Sequence, residues 1–410
     1  MAAYLFLILI ALLSLGVVLA VRLRYNFLTT LVLVAFLFRL LLIYADFYGF
    51  FSIPGADSDA EVFINKARAW SRLDWYDLLA SFNPGSAYIY SSMGAVFFKL
   101  FGYHLLIMPF LNLLAGTFGV AVAGVTAYKI WGVRASKLTS LILALYPFSA
   151  FNSAVALREE FSILAFIIGL YFLVKWLREE SQLGVFICLA FFSIATMIHP
   201  GWIAAILGVG FYSLLQFFKS LPHFFRGSHV TRSYLGKVGS SVSVIAISIM
   251  LAAGGVSLGK GISIGTEGGE SIDELIESRF DSEPRGGSAY PSAIAKGDPF
   301  SQPWLIPARI VYFLFSPFPW DIRSPKQALG MISSVLYLFL VWKIFKNWKI
   351  IRQHQECVAL LIILALLTFI FAIGVTNIGT AIRHKTKFLA LFIIIAAVSF
   401  DSIRFRLLRR

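Results

Sequence analysis

Two carboxylates stand close together in the polar segment that follows the second apolar run of this chain. Asp57 and Asp59 flank Ser58, and a carboxylate can accept a proton as a general base or bind a cation. Ser58 and Glu61 also form an S-x-x-E capping box, which predicts a helix that begins at Asp59. Capping and solvation of the helix N-terminus are therefore the structural alternative for these acids.

Basic side chains that suit phosphate binding occur at two later points in the chain. Arg158 begins an apolar run, and Arg383, His384 and Lys385 form a dense basic cluster. The planar guanidinium group of arginine can donate two hydrogen bonds to one phosphate. Arg158 also precedes two glutamates, so an ion pair at a membrane boundary is the alternative to a phosphate site.

The composition excludes several classes of protein. Of the 410 residues, 59% are hydrophobic and 14% are charged, and the mean hydropathy is +0.82. Soluble domains have about 25% charged residues, so this chain is neither a soluble enzyme nor a disordered protein. Its two cysteines, Cys188 and Cys357, lie in apolar runs and predict neither a disulfide framework nor a zinc site.

Eleven apolar runs are predicted to span the membrane, because a span needs about 20 residues. They are residues 3–21, 28–46, 105–128, 138–156, 160–177, 183–198, 201–218, 239–258, 326–343, 357–375 and 386–402. Two shorter runs, 86–100 and 304–318, predict re-entrant or interfacial helices. No basic residue precedes the first run, which is typical of a retained span rather than a cleaved signal peptide. The sequence therefore predicts an all-α polytopic membrane protein with one transmembrane domain over residues 1–410.

The net charge of +14 is explained by the topology that these spans imply. With an outer N-terminus and a cytoplasmic C-terminus, the inner loops carry 19 of the 35 Lys and Arg and 4 of the 21 Asp and Glu. The inner face then has a net charge of +15 and the rest of the chain has −1, as the positive-inside rule requires. The positive charge therefore predicts no nucleic-acid partner.

Most of the unusual polar residues are predicted to lie on the outer face. The first outer loop covers residues 47–104, with juxtamembrane helices, and a large outer loop covers residues 259–325. The second loop contains Arg285 and Tyr290, and His199 ends a span on the same side. This one-sided arrangement predicts a site at the outer membrane boundary, for a substrate with a lipid tail.

One cation lies inside a predicted span. Arg39 is surrounded by apolar residues in the second span. A buried arginine costs roughly 2.5–3.5 kcal/mol on insertion scales and needs a partner. Asp46 follows seven residues later near the same helical face, so the sequence predicts a structural Arg39–Asp46 pair.

Several motifs occur in a fixed order between residues 45 and 180. They are Asp59-x-x-x-Phe63-x-x-x-Ala67, then Pro84-Gly85-Ser86-Ala87-Tyr88 with Phe98-Lys99-Leu100-Phe101-Gly102, then Ala144-Leu145-Tyr146-Pro147 with Arg158-Glu159-Glu160. This ordered set resembles glycosyltransferases of the GT-C fold, which take sugars from lipid carriers. Aminoarabinose and mannosyl transferases of that group have an Asp-Glu pair where this chain has Asp59-Ala60. The resemblance therefore implies a fold and a donor class, but no particular sugar or acceptor.

The resemblance implies a role for each candidate residue. Asp59, or else Asp57, is expected to act as the general base on the acceptor hydroxyl. The expected ligands of the carrier phosphate are Arg158, Arg383, His384 and Lys385, and the expected supporting residues are Glu159, Glu160, Arg285, Tyr290 and His199. No protein metal site is expected, although a divalent cation (Mg²⁺ or Mn²⁺) held by an acid and the diphosphate stays open.

The partners implied are a polyprenyl-linked sugar donor, a glycan or lipid acceptor, and membrane lipid. The expected location is the inner (plasma) membrane, with the active face periplasmic or extracellular. Three alternatives remain at this point: a polymerase that joins lipid-linked repeat units, a transporter or flippase of lipid-linked saccharides, and a non-catalytic membrane subunit. A transporter would more naturally have polar residues through several spans, and these spans are nearly free of them apart from Arg39.

Overall fold

A computed structural model describes residues 1–53, 59–83, 86, 88–225, 288–295, 302–322 and 325–400. The chain divides into two compact units, the first containing residues 1–171, 194–199 and 397–410 and the second containing residues 172–193 and 200–396. Within the described residues the secondary structure is helical, apart from one isolated β-bridge between Ala289 and Asn377.

The first unit is built from the N-terminal helices. They are α1 (Ala2–Arg24), α2 (Thr29–Phe47), α3 (Glu61–Trp70), α4 (Trp75–Ala80), α5 (Ile89–Phe101), α6 (Ile107–Trp131), α7 (Val133–Leu145) and α8 (Pro147–Ala154). The helices α9 (Glu159–Glu179) and α10 (Gln182–Ile198) contribute residues to both units. Most of α6 is buried, and its small residues let α1, α2, α7 and α8 pack around it.

The second unit holds the remaining described helices. They are α11 (Ile203–Phe225), α12 (Ser292–Ala295), α13 (Ile306–Phe315), α14 (Pro325–Lys346), α15 (Trp348–Ile351), α16 (Gln355–Ile373), α17 (Ile378–Lys387) and α18 (Leu389–Ala396). Helix α16 packs against α11 and α13. The residues of α16 are mostly apolar on all its faces, so this helix can contact both protein and lipid along its length.

Seven helices in the described residues are long and apolar enough to cross a membrane: α1, α2 with its leading 3₁₀ turn, α6, α9, α11, α14 and α16. They match seven of the eleven predicted spans. The polytopic membrane class that hydropathy predicted is therefore supported by helix length and composition together. The two shorter apolar runs form α5 and α13, of 13 and 10 residues.

Of the other four predicted spans, three differ from single long helices and one lies outside the described residues. The 138–156 run is two helices, α7 and α8, because Pro147 has no N–H to donate and holds Tyr146 in an extended conformation (φ −66°, ψ 117°). The 183–198 run is the 17-residue α10. In the last run α18 gives way to a 3₁₀ turn at Ala397–Phe400, and the 239–258 run lies outside the described residues.

Contacts in the first unit join helix ends that the predicted topology places on the same side. The ring of Tyr25, in the first predicted inner loop, lies 5.8 Å from that of Tyr128 at the predicted inner end of α6. At the opposite end of these helices, the ring of Tyr4 near the N-terminus lies 5.1 Å from that of His104 at the end of the first predicted outer loop. The first three long helices therefore alternate in direction as the span map requires.

The second unit repeats this agreement with two polar contacts. Arg178 at the end of α9 pairs with the buried carboxylate of Glu356 at the start of α16, with 3.0 Å between Nη1 and Oε1. Both residues belong to predicted inner loops. Asn377 Nδ2 donates to Ser288 Oγ at 2.9 Å, and both of these residues belong to predicted outer segments.

Candidate functional site

The first candidate catalytic residue, Asp59, lies at the start of α3 with its side chain exposed. A short π-helical turn at residues 59–60 leads into α3, which begins at Glu61, two residues after the start that the capping pattern predicts. Ser58 and Asp57 lie outside the described residues, and the capping box and the second candidate base stay predictions. An exposed carboxylate at a helix start is accessible to substrate and is favoured by the helix dipole.

Two residues of the same motif hold α3 in place. Phe63 and Ala67 are 7% and 0% exposed and face α5. The carbonyl of Phe63 accepts a hydrogen bond from Ser91 Oγ at 3.0 Å. A Cβ atom added to Gly94 of α5 would lie 3.2 Å from Cβ of Ala67 and 2.8 Å from Sδ of Met108. The motif therefore combines one exposed carboxylate with two buried anchors on a single helix.

The guanidinium group of Arg39 crosses from α2 to the junction of α7 and α8. It donates to the Leu143 carbonyl and to Ser153 Oγ, both at 3.0 Å, with longer bonds to Ala35, Ala144 and Ser149. Pro147 has no N–H with which to satisfy the Leu143 carbonyl, so Arg39 supplies the missing donor. The break in the span thus creates the acceptor that a buried arginine needs.

The predicted Arg39–Asp46 pair is wrong. The carboxylate of Asp46 accepts a hydrogen bond from the backbone N–H of Ile53 at 2.9 Å. Two helical turns separate residues 39 and 46, or about 10 Å along the axis. Acceptors on α7 and α8 are closer to the guanidinium group, and they lie more than 100 positions away in sequence.

Glu160 is the acidic residue whose charge acts on Arg39. It is 4% exposed in the first turn of α9, it makes a side-chain hydrogen bond with Ser153, and it interacts electrostatically with Arg39. Ser153 therefore links the cation to the carboxylate. A Cβ atom added to Gly116 of α6 would lie 2.3 Å from Ser153 Oγ and 2.8 Å from Glu160 Oε1. Only glycine at position 116 leaves room for this Arg39–Ser153–Glu160 chain.

The segment that precedes α9 is held by one asparagine. Both amide hydrogens of the buried Asn112 are donated to backbone carbonyls, to Val155 at 2.6 Å and to Leu157 at 2.9 Å. Its Oδ1 atom accepts a hydrogen bond from the hydroxyl of Tyr90 at 3.2 Å. The next residue, Arg158, is half-buried and donates to the Ile198 carbonyl at 3.3 Å. The buried network therefore fixes the backbone from which the Arg158 side chain extends.

The predicted cluster Arg158-Glu159-Glu160 is divided by burial. Glu159 and Glu160 are 2% and 4% exposed, whereas Arg158 is half-buried. The two glutamates belong to the protein interior of the first unit, and Arg158 is the member of the cluster with partial access to solvent. His199 ends α10, with its backbone N–H donated to the Ala195 carbonyl at 2.9 Å.

In the second unit, Lys385 lies in the protein interior. It is fully buried, and its ammonium group donates to the carbonyls of Leu314 at 2.9 Å and Ser316 at 2.8 Å, at the C-terminus of α13. Its own carbonyl accepts a hydrogen bond from the Tyr337 hydroxyl at 2.6 Å. Burial lowers the pKa of Lys385 from its ordinary value of 10.5 to about 7. In this arrangement the Lys385 side chain caps the C-terminus of α13 by donating to its last carbonyls, where positive charge also complements the helix dipole.

The other cations of this cluster are more accessible. Arg383 and His384 are half-buried on α17, and the His384 ring lies 4.9 Å from that of Phe371. Lys387, which is fully buried, has its Nζ atom 3.2 Å from His384 Nδ1. Of the predicted phosphate ligands in this unit, Arg383 and His384 are therefore the two with exposed surface.

Two candidates from the large outer loop remain, Tyr290 and Arg285. Tyr290 is 3% exposed, its backbone N–H is donated to the Thr376 carbonyl at 2.9 Å, and burial raises the pKa of its hydroxyl. Arg285 lies outside the described residues. In the described ranges no three His, Cys, Asp or Glu side chains gather closely enough to hold a metal ion.

Sequence reasoning did not find four residues that build the buried networks, three of them polar and one a glycine. These are Tyr90, Asn112, Gly116 and Arg309, the last of which donates from Nη1 to the Ile373 carbonyl at 3.2 Å. A signal was present for two of them, because Asn112 and Gly116 are four residues apart in an apolar run and so share one face of α6. Arg309 and Tyr90 lie in short runs where the apolar pattern gave no reason to select them.

The comparisons with known proteins give a similarity at the level of structure and none at the level of sequence. No family model matches the sequence, and no curated protein matches it in a sequence search. The crystal structure of ArnT from Cupriavidus metallidurans bound to undecaprenyl phosphate is similar to this chain, with a TM-score of 0.46 and 15% identity over 83% of this chain. The chain spans about half of that protein, with 54% of it covered. At this level of similarity the comparison transfers neither the position nor the role of any residue.

Proposed function

We propose that this protein is an integral-membrane glycosyltransferase that moves a sugar or glycan from a polyprenyl phosphate or diphosphate to an acceptor on the outer face of the inner membrane. The observation that carries the proposal is the form of the Asp59-x-x-x-Phe63-x-x-x-Ala67 motif. Asp59 is exposed, while Phe63 and Ala67 are buried against α5. A rigidly supported and accessible carboxylate is what a general base in such a reaction requires.

The proposed reaction is a displacement at the anomeric carbon of the sugar. The acceptor oxygen forms a bond to that carbon while the bond from the carbon to the carrier phosphate oxygen breaks, and the phosphate leaves with the electron pair. The carboxylate of Asp59, or that of Asp57, takes the proton from the acceptor hydroxyl. Cations near the leaving group stabilise the charge that develops on the phosphate.

The cations proposed for this role are those with accessible side chains. Arg158 extends from a backbone held by Asn112, and Arg383 and His384 are half-buried on α17. Lys385 is proposed to act indirectly, by holding the C-terminus of α13 through its hydrogen bonds to the Leu314 and Ser316 carbonyls. The residues proposed to support the site are Glu159, Glu160, Arg285, Tyr290 and His199. A divalent cation bound by the outer acids and a diphosphate remains part of the proposal, to be tested by chelation.

The test is transfer of a labelled sugar from a polyprenyl phosphate in membranes that contain the full chain. Asp59→Asn preserves size and removes the base, so turnover is expected to fall by roughly 10²–10⁴-fold. Glu61→Gln is the matched control, since Glu61 is an exposed acid two residues later on the same helix and its loss is expected to leave turnover nearly unchanged. Normal turnover in both Asp59→Asn and Asp57→Asn would refute the proposed mechanism.

A further inference from the structure

A lysine and two aromatic rings form a cluster on the outer-loop helices. The Nζ atom of Lys66 lies 3.6 Å from the ring centroid of Tyr88 and 5.1 Å from that of Trp70. All three side chains are half-buried. The Tyr88 and Trp70 rings also contact each other edge to face, with centroids 6.5 Å apart. We call Lys66, Trp70 and Tyr88 the Lys66 cluster.

The contacts of Lys66 in the described residues are these two rings, and no carboxylate is among them. Its helical neighbours three and four positions away are Val62, Phe63, Ala69 and Trp70, so no i,i+4 ion pair is available on α3. Aromatic faces hold an ammonium group in position without using its N–H donors. The cation is therefore fixed in place and still has hydrogen bonds to give.

The candidate base lies just before the helix that carries this cation. Asp59 belongs to the π-helical turn that leads into α3, about 10 Å along the axis from Lys66, and Trp70 follows Lys66 by one turn of α3. Phe63 and Ala67 hold this helix against α5. A ligand lying along α3 could therefore contact the carboxylate at one end and the ammonium group at the other.

We propose that the Lys66 cluster is a binding site for a phosphate ester, with the ammonium group of Lys66 on the phosphate oxygens and the rings of Tyr88 and Trp70 beside the attached organic group. The inference rests on the proposed function and extends it by assigning the carrier phosphate to a cation on the helix that follows Asp59. An ammonium–phosphate hydrogen bond is charge-assisted and of the strong class.

A purely structural cation–aromatic contact is the competing explanation, and the chain contains a matched example of it. Arg68 lies two residues later on α3, and its guanidinium carbon is 4.4 Å from the ring centroid of Tyr103. Arg68 is exposed and lies on a different face of α3 from Lys66. Comparing Lys66 with Arg68 therefore separates a phosphate site from general interfacial charge.

The experiment measures binding of a polyprenyl phosphate to the purified full chain in phosphatidylcholine nanodiscs. Lys66→Met is expected to weaken binding by about tenfold or more, given the strength of a charge-assisted hydrogen bond. Lys66→Arg is expected to retain most of the affinity and Arg68→Met nearly all of it. Equal affinities in the wild type and Lys66→Met, or equal losses in Lys66→Met and Arg68→Met, would overturn the site.

A second measurement needs no variant and so does not depend on folding of a mutant. Acylation of lysines in the wild type, located by mass spectrometry, is expected to decrease at Lys66 when polyprenyl phosphate is added. Lys99, which donates to the Leu73 carbonyl, is the internal reference. Unchanged labelling of Lys66, or protection by phosphatidylglycerol without any by polyprenyl phosphate, would overturn the carrier assignment.

Failure of this inference can be distinguished from failure of the proposed function. If Asp59→Asn abolishes transfer and Lys66→Met neither weakens binding nor slows transfer, the Lys66 site is wrong and the glycosyltransferase proposal stands. If the wild type binds no polyprenyl phosphate and transfers no sugar, both are wrong.

Discussion

Replacement of Gly116 by alanine tests whether close packing around the buried network stabilises the first unit. The added Cβ would lie 2.3 Å from Ser153 Oγ, 2.9 Å from Ser153 Cβ and 2.8 Å from Glu160 Oε1. All three distances are shorter than real Cβ contacts, so α8 or the start of α9 has to move. Overpacking of this kind costs about 1–3 kcal/mol.

A second cost follows from the position of Ser153. Its Oγ atom accepts the 3.0 Å hydrogen bond from Arg39 Nε, and a hydrogen bond to a charged group contributes about 1.5–3 kcal/mol. Displacement of Ser153 would lengthen or break that hydrogen bond. The higher helix propensity of alanine offsets roughly 0.8–1 kcal/mol of the loss in stability. The expected net loss for Gly116→Ala is therefore on the order of 2–4 kcal/mol in free energy of unfolding.

The matched control for this prediction is Gly119→Ala on the same helix. A Cβ atom there meets Ile167 Cδ1 at 3.7 Å, which is an ordinary contact, so this variant is expected to be as stable as the wild type or slightly more so. Thermal unfolding in detergent, followed by fluorescence, compares the two variants. At roughly 2–4 °C per kcal/mol, Gly116→Ala should melt several degrees lower. Equal melting temperatures for the two alanine variants would show that the network does not constrain α6.

Three further predictions concern buried charges. Arg39→Met should destabilise the protein by about 3–5 kcal/mol because it leaves Glu160 buried without its cation, while the double variant Arg39→Met/Glu160→Met should be much closer to wild type in the same melting assay. The pKa of Lys385 is lower in the folded protein than its ordinary value of 10.5, so the folded state binds fewer protons than the unfolded state between pH 7 and 10.5. The melting temperature should therefore rise with pH across that window more in the wild type than in Lys385→Met. The same slope in both proteins would contradict a lowered pKa at Lys385. Glu356→Gln should lower the melting temperature more in low salt than in high salt, because salt screens the ion pair between Glu356 and the partly exposed Arg178. A loss that does not depend on salt would argue against that ion pair.

Much of the fold follows from hydropathy and charge, because the membrane restricts the chain to apolar helices of a narrow range of lengths. Seven of the predicted spans coincide with long helices, and helix-end contacts such as Tyr25–Tyr128 and Arg178–Glu356 agree with the alternation of sides. The presence of α3, though not its first residue, also follows from a local pattern: it was predicted to begin at Asp59 and begins at Glu61. These features depend on residues that are close together in sequence or on the general properties of the bilayer.

The partners of the buried polar groups could not be predicted, since they depend on packing between distant segments. Arg39 was expected to pair with a neighbour on its own helix, and it binds Ser153, which is 114 residues away. The cause is Pro147, which was visible in the sequence, but its effect on the Leu143 carbonyl requires knowing that α2 packs there. Burial of Lys385 likewise depends on α13 and α14, which are more than 40 positions away.

The side chain of Asn112 has a consequence for what can replace it. One planar group supplies two donors to the Val155 and Leu157 carbonyls and one acceptor to the Tyr90 hydroxyl. Aspartate has the same shape but would present lone pairs to both carbonyls, and leucine has a similar volume but would leave all three partners unsatisfied. This position therefore discriminates by the polarity of each atom and not by size. Replacing the amide nitrogen of Asn112 by an oxygen would turn its attractions to the Val155 and Leu157 carbonyls into repulsions, in the backbone segment that leads to Arg158.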